Sequence, residues 1–539
     1  MAISVAALLL ITAILALLSD PRVASGSDVG GKLATVKTMT ESGTWTPDVG
    51  YWAETEDPEG RFHQLIKTRE TEQGWIQVTG LPLMLPAVPL WSLGGPGALL
   101  LLTVPSATAA GIAARRLARQ LGARSGWGAF WLVGLGSPVF VYSADFWEHA
   151  PSVAIALWVL TLALSLSEDR PVAAAVPASL GLGALAALGV LLRAEVALSL
   201  GCMALALLFV SDERRRIVGS TRRYAGAAVI AVSGYLLASM LEGSLVGAGT
   251  RSGRGSTQLS QAGLEPTKRV TDAALTSVGL WADQRTPFLL IGGLVVCLLA
   301  CAVAMEVRGR PLSPAVLGAA CLLVLIRCSD LDFVPGALIA APAATAVAGV
   351  VSTRQRALAA GAGMAMVATW LLSWRGDMET QWGGRYLLVP AAVLCILGAM
   401  TLERIGWRRP IAVVLVVLTA IITTYGAVWH VVRSNRVAAA FESIEAVPAD
   451  VILVATGIDS GRTAGAWYGE HRWLTAPTPS DLPRIMGLAA SASAERVDVV
   501  YPEPIEGARP IEGATETGRR KLAVLSGVEF TIISYRPTG

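Results

Sequence analysis

Ionisable side chains are scarce in this chain, and those beside its apolar runs form five clusters. In SGSDVGGKLATVK, Asp28 is followed by Lys32 one helical turn on and then by Lys37. A carboxylate there can take a proton from an attacking hydroxyl. It can equally cap a helix N-terminus, where negative charge is favoured. In YSADFWEHAP, Asp145, Glu148 and His149 lie beside Tyr142, Phe146 and Trp147. In LLRAEVAL, Arg193 and Glu195 divide two apolar stretches, either as a plain hairpin turn or as a grip on an anionic group. In QWGGRYLLVP, Trp382, Arg385 and Tyr386 open an apolar run. An arginine at such a place is usually a snorkelling anchor. In SDLDF, Asp330 and Asp332 form a D-x-D pair that can bind a divalent metal or simply make a solvated turn. Arginine matches phosphate oxygens bidentately and stays charged. The chemistry on offer is therefore proton transfer by carboxylates and the holding of a phosphate by arginines.

Those clusters need a scaffold. With 53% hydrophobic and only 15% charged residues, the chain reads as a polytopic α-helical membrane protein. Its mean hydropathy of +0.56 agrees. Apolar runs mark about thirteen transmembrane helices: 3–18, 96–118, 127–143, 149–167, 173–192, 195–210, 224–240, 287–305, 312–327, 333–351, 356–373, 384–402 and 411–430. With the N-terminus in the cytoplasm, the cytoplasmic loops contain ARRLARQLGAR, SEDR, SDERRRIVGSTRR, EVRGR, STRQR and ERIGWRR, and every one carries arginine. The five clusters then all face outward. The first run has no basic segment before it and is expected to be an uncleaved span rather than a signal peptide. The six cysteines lie in or beside apolar runs, with no zinc or disulfide pattern. Nothing in the net charge of +3 calls for a nucleic-acid partner.

The outer segments are expected to be elaborate. Residues 19–95 form a large first loop. In it, Val29, Leu33, Val36 and Met39 recur at helical spacing while Asp28, Lys32 and Thr35 share another face, which predicts an amphipathic helix lying on the membrane surface. Trp45, Trp52 and Trp75 suit a membrane interface. The proline-rich GLPLMLPAVPLWSLGG, 80–95, is too short for a span without inverting every later loop, and reads as a re-entrant or interfacial segment. The Gly-, Ser- and Arg-rich stretch 241–286 reads as a flexible outer loop. Past residue 435, ADVILVATG, RVDVVYPEP and GVEFTIISYRP read as strands and PSDLPRIMGLAASA as a helix. Residues 436–539 are thus expected to make a small extracytoplasmic α/β domain beside a membrane core of 1–435.

Carboxylates and arginines on one membrane face suit a substrate with a lipid tail and a phosphate head. Cations can stabilise the charge that develops on a departing phosphate. The implied reaction is glycosyl transfer from a lipid-linked sugar phosphate. The order of elements over most of residues 1–435 resembles the C-type integral-membrane glycosyltransferases, the GT-C superfamily. The resemblance rests on SGSDVGGKLATVK after the first span, the segment GLPLMLPAVPLWSLGG, the span ending ARRLARQLG, and then YSADFWEHAPSVAIAL, LLRAEVAL and QWGGRYLLVPA.

The resemblance implies an inverting transferase of the cytoplasmic membrane that uses a polyprenyl-phosphate-linked sugar at the extracytoplasmic face. It places the first-loop catalytic carboxylate on Asp28 and the second acidic position on Asp145 or Glu148. The donor-phosphate cations fall on Arg193 and Arg385, with Lys32 and Lys37 as lesser candidates. Sugar or acceptor contacts fall on His149, Tyr386 and Trp382. The family's tighter first-loop acidic pair is not reproduced, since Asp20 lies eight residues before Asp28. Two modes therefore stay open: a divalent metal at Asp28, Asp330 or Asp332, or cationic side chains alone. The acceptor, whether glycan, lipid or protein, is unspecified. A flippase or transporter would place charges near mid-membrane, and here the span interiors are nearly free of them. A polysaccharide polymerase or ligase shares the lipid-linked donor, but a late outer loop would suit it better than the early one found here.

Overall fold

A computed structural model of the protein describes residues 1–23, 27–65, 68–77, 80–166, 172–209, 218, 221–246, 273–274, 276–279, 286–310, 314–328, 334–372, 382–445, 447–448, 450–456, 462–502, 510–523 and 529–538. The chain divides into two compact units. Met1–Ile14, Leu102–Met240 and Arg251–Val428 form one; Leu15–Leu101, Leu241–Thr250 and Trp429–Gly539 form the other.

Apolar runs decide the helices. Among the described residues, six helical stretches are long and apolar enough to cross a membrane: Leu81–Gln120, His149–Leu166, Tyr224–Val246, Leu290–Val307, Arg385–Ile405 and Pro410–Ile444. Ala2–Leu18, Val176–Leu192, Ala194–Leu208 and Leu317–Ile326 are shorter and also apolar. The protein is an integral membrane protein by this measure.

The first unit is helical. Its helix Leu388–Ile405 is buried on all sides from Leu388 to Leu402, which is why that stretch carries no polar stripe. Two expected spans are not single helices. Residues 127–143 break into Trp127–Gly134 and Val139–Ser143 around Gly136 and Pro138. Residues 333–351 become a four-residue helix, Ala337–Ala340, and a 3-10 segment, Pro342–Gly349. Proline is the cause in both, because it removes a backbone donor and keeps the residue before it out of helical geometry. Ala341, just before Pro342, has φ −134° and ψ 68°.

The second unit is mixed. Strands β1 (Thr68–Thr71) and β2 (Gly74–Gln77) make an antiparallel hairpin in the first loop. Five more strands form one sheet: β3 (Ile452–Thr456), β4 (Arg472–Ala476), β5 (Val497–Pro502), β6 (Ala514–Ala523) and β7 (Glu529–Pro537). Their order is β4-β3-β5-β7-β6; β3 runs parallel to β4 and β5, while β7 is antiparallel to β5 and β6. The helix Leu482–Ser491 makes the crossover from β4. Strands β4 and β6 had no clear signal in the sequence.

Alternate residues of β3 feed two cores, as the pleat requires. Ile452 and Val454 pack with Ile485, Met486 and the first-loop residues Ala53 and Phe62. Leu453 and Ala455 pack with Phe441 and Ile444 near the end of the long helix Pro410–Glu445. The sheet therefore shares its core with the first loop, and Thr475 of β4 donates its backbone N–H to the carbonyl of Phe62 at 2.8 Å.

The structure corrects two first-loop expectations. The helix Ser27–Ser42 forms, and Val29, Leu33, Val36 and Met39 are buried, but so are Lys32 and Thr35 at 0% exposure. It packs against the 3-10 segment Arg462–Trp467 and the helix Leu81–Leu99, so it is an interior helix and not one lying on a membrane surface. Of the three tryptophans expected at an interface, Trp75 is buried beside Ala34, Val49, Leu65 and Tyr468. Trp52 is tied to the carbonyl of Trp473, and only Trp45 is exposed. The segment 80–95 is helical within Leu81–Leu99, with Gly94 and Gly95 out of helical geometry. Most of 241–286 lies outside the described residues.

Candidate active site

Three breaks in the helical unit bring charge together. The first is the loop between Val139–Ser143 and His149–Leu166, which holds Asp145, Trp147 and Glu148. The second is a single residue, Arg193, between the helices Val172–Leu192 and Ala194–Leu208. Its extended backbone (φ −148°, ψ 120°) ends one helix and starts the next, and Glu195 occupies the new helix's first turn, where acid is favoured. The third is the 3-10 turn Arg385–Leu387.

The third break explains the double glycine of QWGGRY. Gly383 and Gly384 have φ +64° and +61°, a region that side chains disfavour. A Cβ on Gly383 would lie 2.2 Å from Pro138 Cγ, and one on Gly384 would lie 2.7 Å from the carbonyl oxygen of Thr276. Only glycine lets the backbone pass so close, and that passage sets Arg385 at the head of its helix.

The side chains converge on one phenol ring. Arg385 lies over Tyr386 at 4.7 Å from the ring centroid, and Arg193 lies over the same ring at 5.2 Å. Arg385 also lies 5.7 Å from the centroid of Trp147. Arg193 donates from Nη1 to Glu148 Oε1 at 3.1 Å and from Nη2 to Glu195. Burial works against its charge, but Glu195 and Glu148 outweigh this and hold the guanidinium more firmly protonated than usual. Glu148, Asp145, His149 and Arg385 are all buried. Charges this deep in an apolar scaffold are costly unless paired.

An aromatic wall completes the cluster. Trp147 meets His149 at 4.6 Å and Tyr142 at 5.5 Å between ring centroids, and Tyr142 meets His149 at 5.3 Å. Arg385, Asp145 and Arg193 are the charges whose fields reach Tyr142 most strongly. The Tyr142 hydroxyl and the Trp147 indole N–H are buried and have no hydrogen-bond partner among the described residues. Buried donors are nearly always paired. Two that are not, beside two guanidinium groups, are suited to an incoming oxygen-rich group.

Of the residues marked by the sequence, Glu148, His149, Arg193, Arg385 and Tyr386 thus meet, with Asp145 among the charges around Tyr142. The choice between Asp145 and Glu148 is sharpened: Glu148 is the partner of Arg193. Trp382 stacks on Tyr425 at 5.7 Å and lies against Gly426, where a Cβ would come within 2.4 Å of its ring. The lysines belong to the second unit. Lys37 Nζ is held there by Glu470 Oε1 at 2.8 Å and the Ala466 carbonyl at 3.0 Å, and Lys32 is fully buried. Asp28 lies in the first turn of Ser27–Ser42, with its side chain outside the described residues. Asp330 and Asp332 also lie outside them. No group of three or more His, Cys, Asp or Glu among the described residues is placed to hold a metal ion. The sequence undervalued Tyr142 and Trp147, whose signal was an aromatic-rich loop too short to leave the membrane edge.

No protein-family model and no curated protein matches the sequence. Solved structures do. ArnT from Cupriavidus metallidurans bound to undecaprenyl phosphate aligns over 99% of this chain and 97% of its own, at 14% identity and a TM-score of 0.44. The archaeal oligosaccharyltransferase AglB from Archaeoglobus fulgidus, in complex with an inhibitory peptide and a dolichol-phosphate, aligns over 92% of this chain and 69% of its own, at 12% identity and a TM-score of 0.45. Both superpositions are loose, so the chemistry of the site is argued from the chain's own geometry.

Proposed function

We propose that the protein is an inverting glycosyltransferase that moves a sugar from a polyprenyl-phosphate donor to an acceptor hydroxyl at the outer face of the membrane. One observation carries the reading: two guanidinium groups, the buried Arg385 and the partly buried Arg193, share the Tyr386 ring beside the unmatched donors of Tyr142 and Trp147. In the step, the bond from the anomeric carbon to the phosphate oxygen breaks and its electron pair leaves with the phosphate. The acceptor oxygen bonds to the same carbon from the opposite side, and its proton passes to a carboxylate. Arg193 and Arg385 neutralise the charge that grows on the phosphate. Glu148 is a positioning residue that aims Arg193. The base is proposed to be Asp28 or Asp145. The sheet unit is proposed to hold the acceptor.

The test is to incubate purified protein with a panel of polyprenyl-phosphate sugars and measure free polyprenyl phosphate. Release that Arg385→Gln abolishes, in a protein that still melts normally, is expected. No release with any donor, together with movement of labelled donor across proteoliposomes, would replace the transferase by a flippase.

A further inference from the structure

The sheet-bearing unit has a recess of its own, of about 390 Å³. It lies between first-loop residues 49–52 and 63–64 and the segment 468–473 that leads into β4. Its frame is well bonded. The Tyr468 hydroxyl donates to the carbonyls of Val49 at 3.0 Å and Gly50 at 3.2 Å. His63 Nδ1 accepts the Leu65 N–H at 3.0 Å, so Nε2 carries the hydrogen and donates to the Gly50 carbonyl at 3.0 Å. The Trp52 indole N–H donates to the Trp473 carbonyl at 2.9 Å, and the Arg472 guanidinium sits 5.7 Å from the centroid of the Trp52 ring.

Two polar atoms do not belong to that frame. The amide nitrogen of Gln64 and Nδ1 of His471 are buried without a hydrogen-bond partner among the described residues, and both residues line the recess. Gln64 is 4% exposed. Both side chains line the recess, and rotating the amide or the ring would bring its unmet atom to a partner there.

The lining says what kind. The volume falls in the range of small-ligand sites, about 300–1,000 Å³. The fixed charges on the lining are one acid, Glu470, already bonded to Lys37, and one base, Arg472, so nothing selects a strong anion or cation. An amide and an imidazole nitrogen match hydroxyls, which both donate and accept. A partly exposed indole wall matches a C–H face. We propose that this recess is a subsite for a neutral saccharide of one or two sugar units. The assignment deepens the transferase reading, on which its role as an acceptor subsite rests.

Full-length protein in detergent is titrated with neutral gluco-, manno- and galacto-oligosaccharides while tryptophan fluorescence is read. Polyprenyl-phosphate binding is measured in parallel. A saturable fluorescence change with at least one saccharide is expected. Trp52→Ala and Gln64→Leu should each weaken it about tenfold or more, with polyprenyl-phosphate binding unchanged. Trp52→Ala removes a packed ring, so His471→Ala, nearer the rim, is read beside it and melting curves check all three. Saturation by no saccharide overturns the proposal, as do titrations that are identical in wild type and variants. Saturation by an unstructured peptide in their place assigns the recess to protein and overturns it too. Saccharide binding without any polyprenyl-phosphate binding would leave the subsite standing and overturn the transferase reading.

Discussion

His63 should make the sheet-bearing unit acid-sensitive. The residue is 4% exposed and its pKa is lowered from 6.5 to about 4, chiefly by burial. Its bonds to Gly50 and Leu65 and the carboxylates of Asp57 and Asp48 pull the other way without prevailing. There is also a geometric obstacle: the lone pair a proton would take at Nδ1 is occupied by the Leu65 N–H. The folded pKa lies below the unfolded one, so below about pH 6.5 the unfolded chain binds a proton that the folded chain refuses. Stability is therefore complete above that pH and declines by about 1.4 kcal/mol per pH unit as the pH falls toward 4. At pH 5 the loss is about 2 kcal/mol, or roughly 4–8 °C in melting temperature for a unit of this size. The assay is thermal unfolding followed by tryptophan fluorescence at pH 7, 6 and 5 at constant ionic strength. His63→Asn keeps an oxygen where Nδ1 accepts from Leu65 and cannot titrate, so its melting temperature should lie lower at pH 7 and vary less with pH. Equal wild-type melting at pH 7 and pH 5, or an undiminished slope in His63→Asn, would refute the reasoning.

Further outcomes are expected. Asp28→Asn should lose nearly all sugar transfer in membranes while expressing and melting normally; near-normal transfer would remove Asp28 from catalysis. Glu148→Gln exchanges a charge-assisted hydrogen bond for a neutral one, and a loss of about 1.5–3 kcal/mol predicts a tenfold or greater fall in kcat/KM. Arg193→Lys should not substitute for the fork that spans Glu148 and Glu195. Gly384→Ala should cost about 1–3 kcal/mol in melting experiments through its positive φ and the nearby Thr276 backbone. Gly406→Ala, with φ +99° and nothing within 4 Å, isolates the backbone part of that cost.

What the sequence displayed depended on the range of the interaction. Helices such as His149–Leu166 and Leu388–Ile405 were plain because twenty or so adjacent apolar residues are a local property. Strand β3 was plain for the same reason, being apolar on both faces. Strand β4 is short and β6, ATETGRRKLA, is polar; β6 is held at the sheet edge by pairing along β7 rather than by any pattern of its own. The helix Ser27–Ser42 shows the limit of periodicity. Its apolar face read correctly, but Lys32 and Thr35 are buried too, because the helix packs against Leu81–Leu99 and Arg462–Trp467, segments far along the chain, and Lys32 lies against Gly80.

The site was legible in its residue types and illegible in its pairing. Arg193, Arg385, Asp145 and Glu148 stood out because charge beside an apolar run is expensive. Nothing local could say that Glu148 belongs to Arg193, since the two are forty-five positions apart. That pairing changes the chemistry. A carboxylate that holds a guanidinium in place is the weaker candidate for a base, because taking a proton would remove one of the two acids, Glu148 and Glu195, that balance Arg193. In the proposed reaction Glu148 is therefore assigned to holding Arg193, and the base is sought at Asp28 and Asp145. Tyr142 and Trp147 were inconspicuous for a related reason. An aromatic side chain beside a span reads as an interface anchor until its donor is found buried and unmet. Their unmet donors, rather than the charges alone, are what favour the proposed ligand site over an ion-pair network that merely braces the helices.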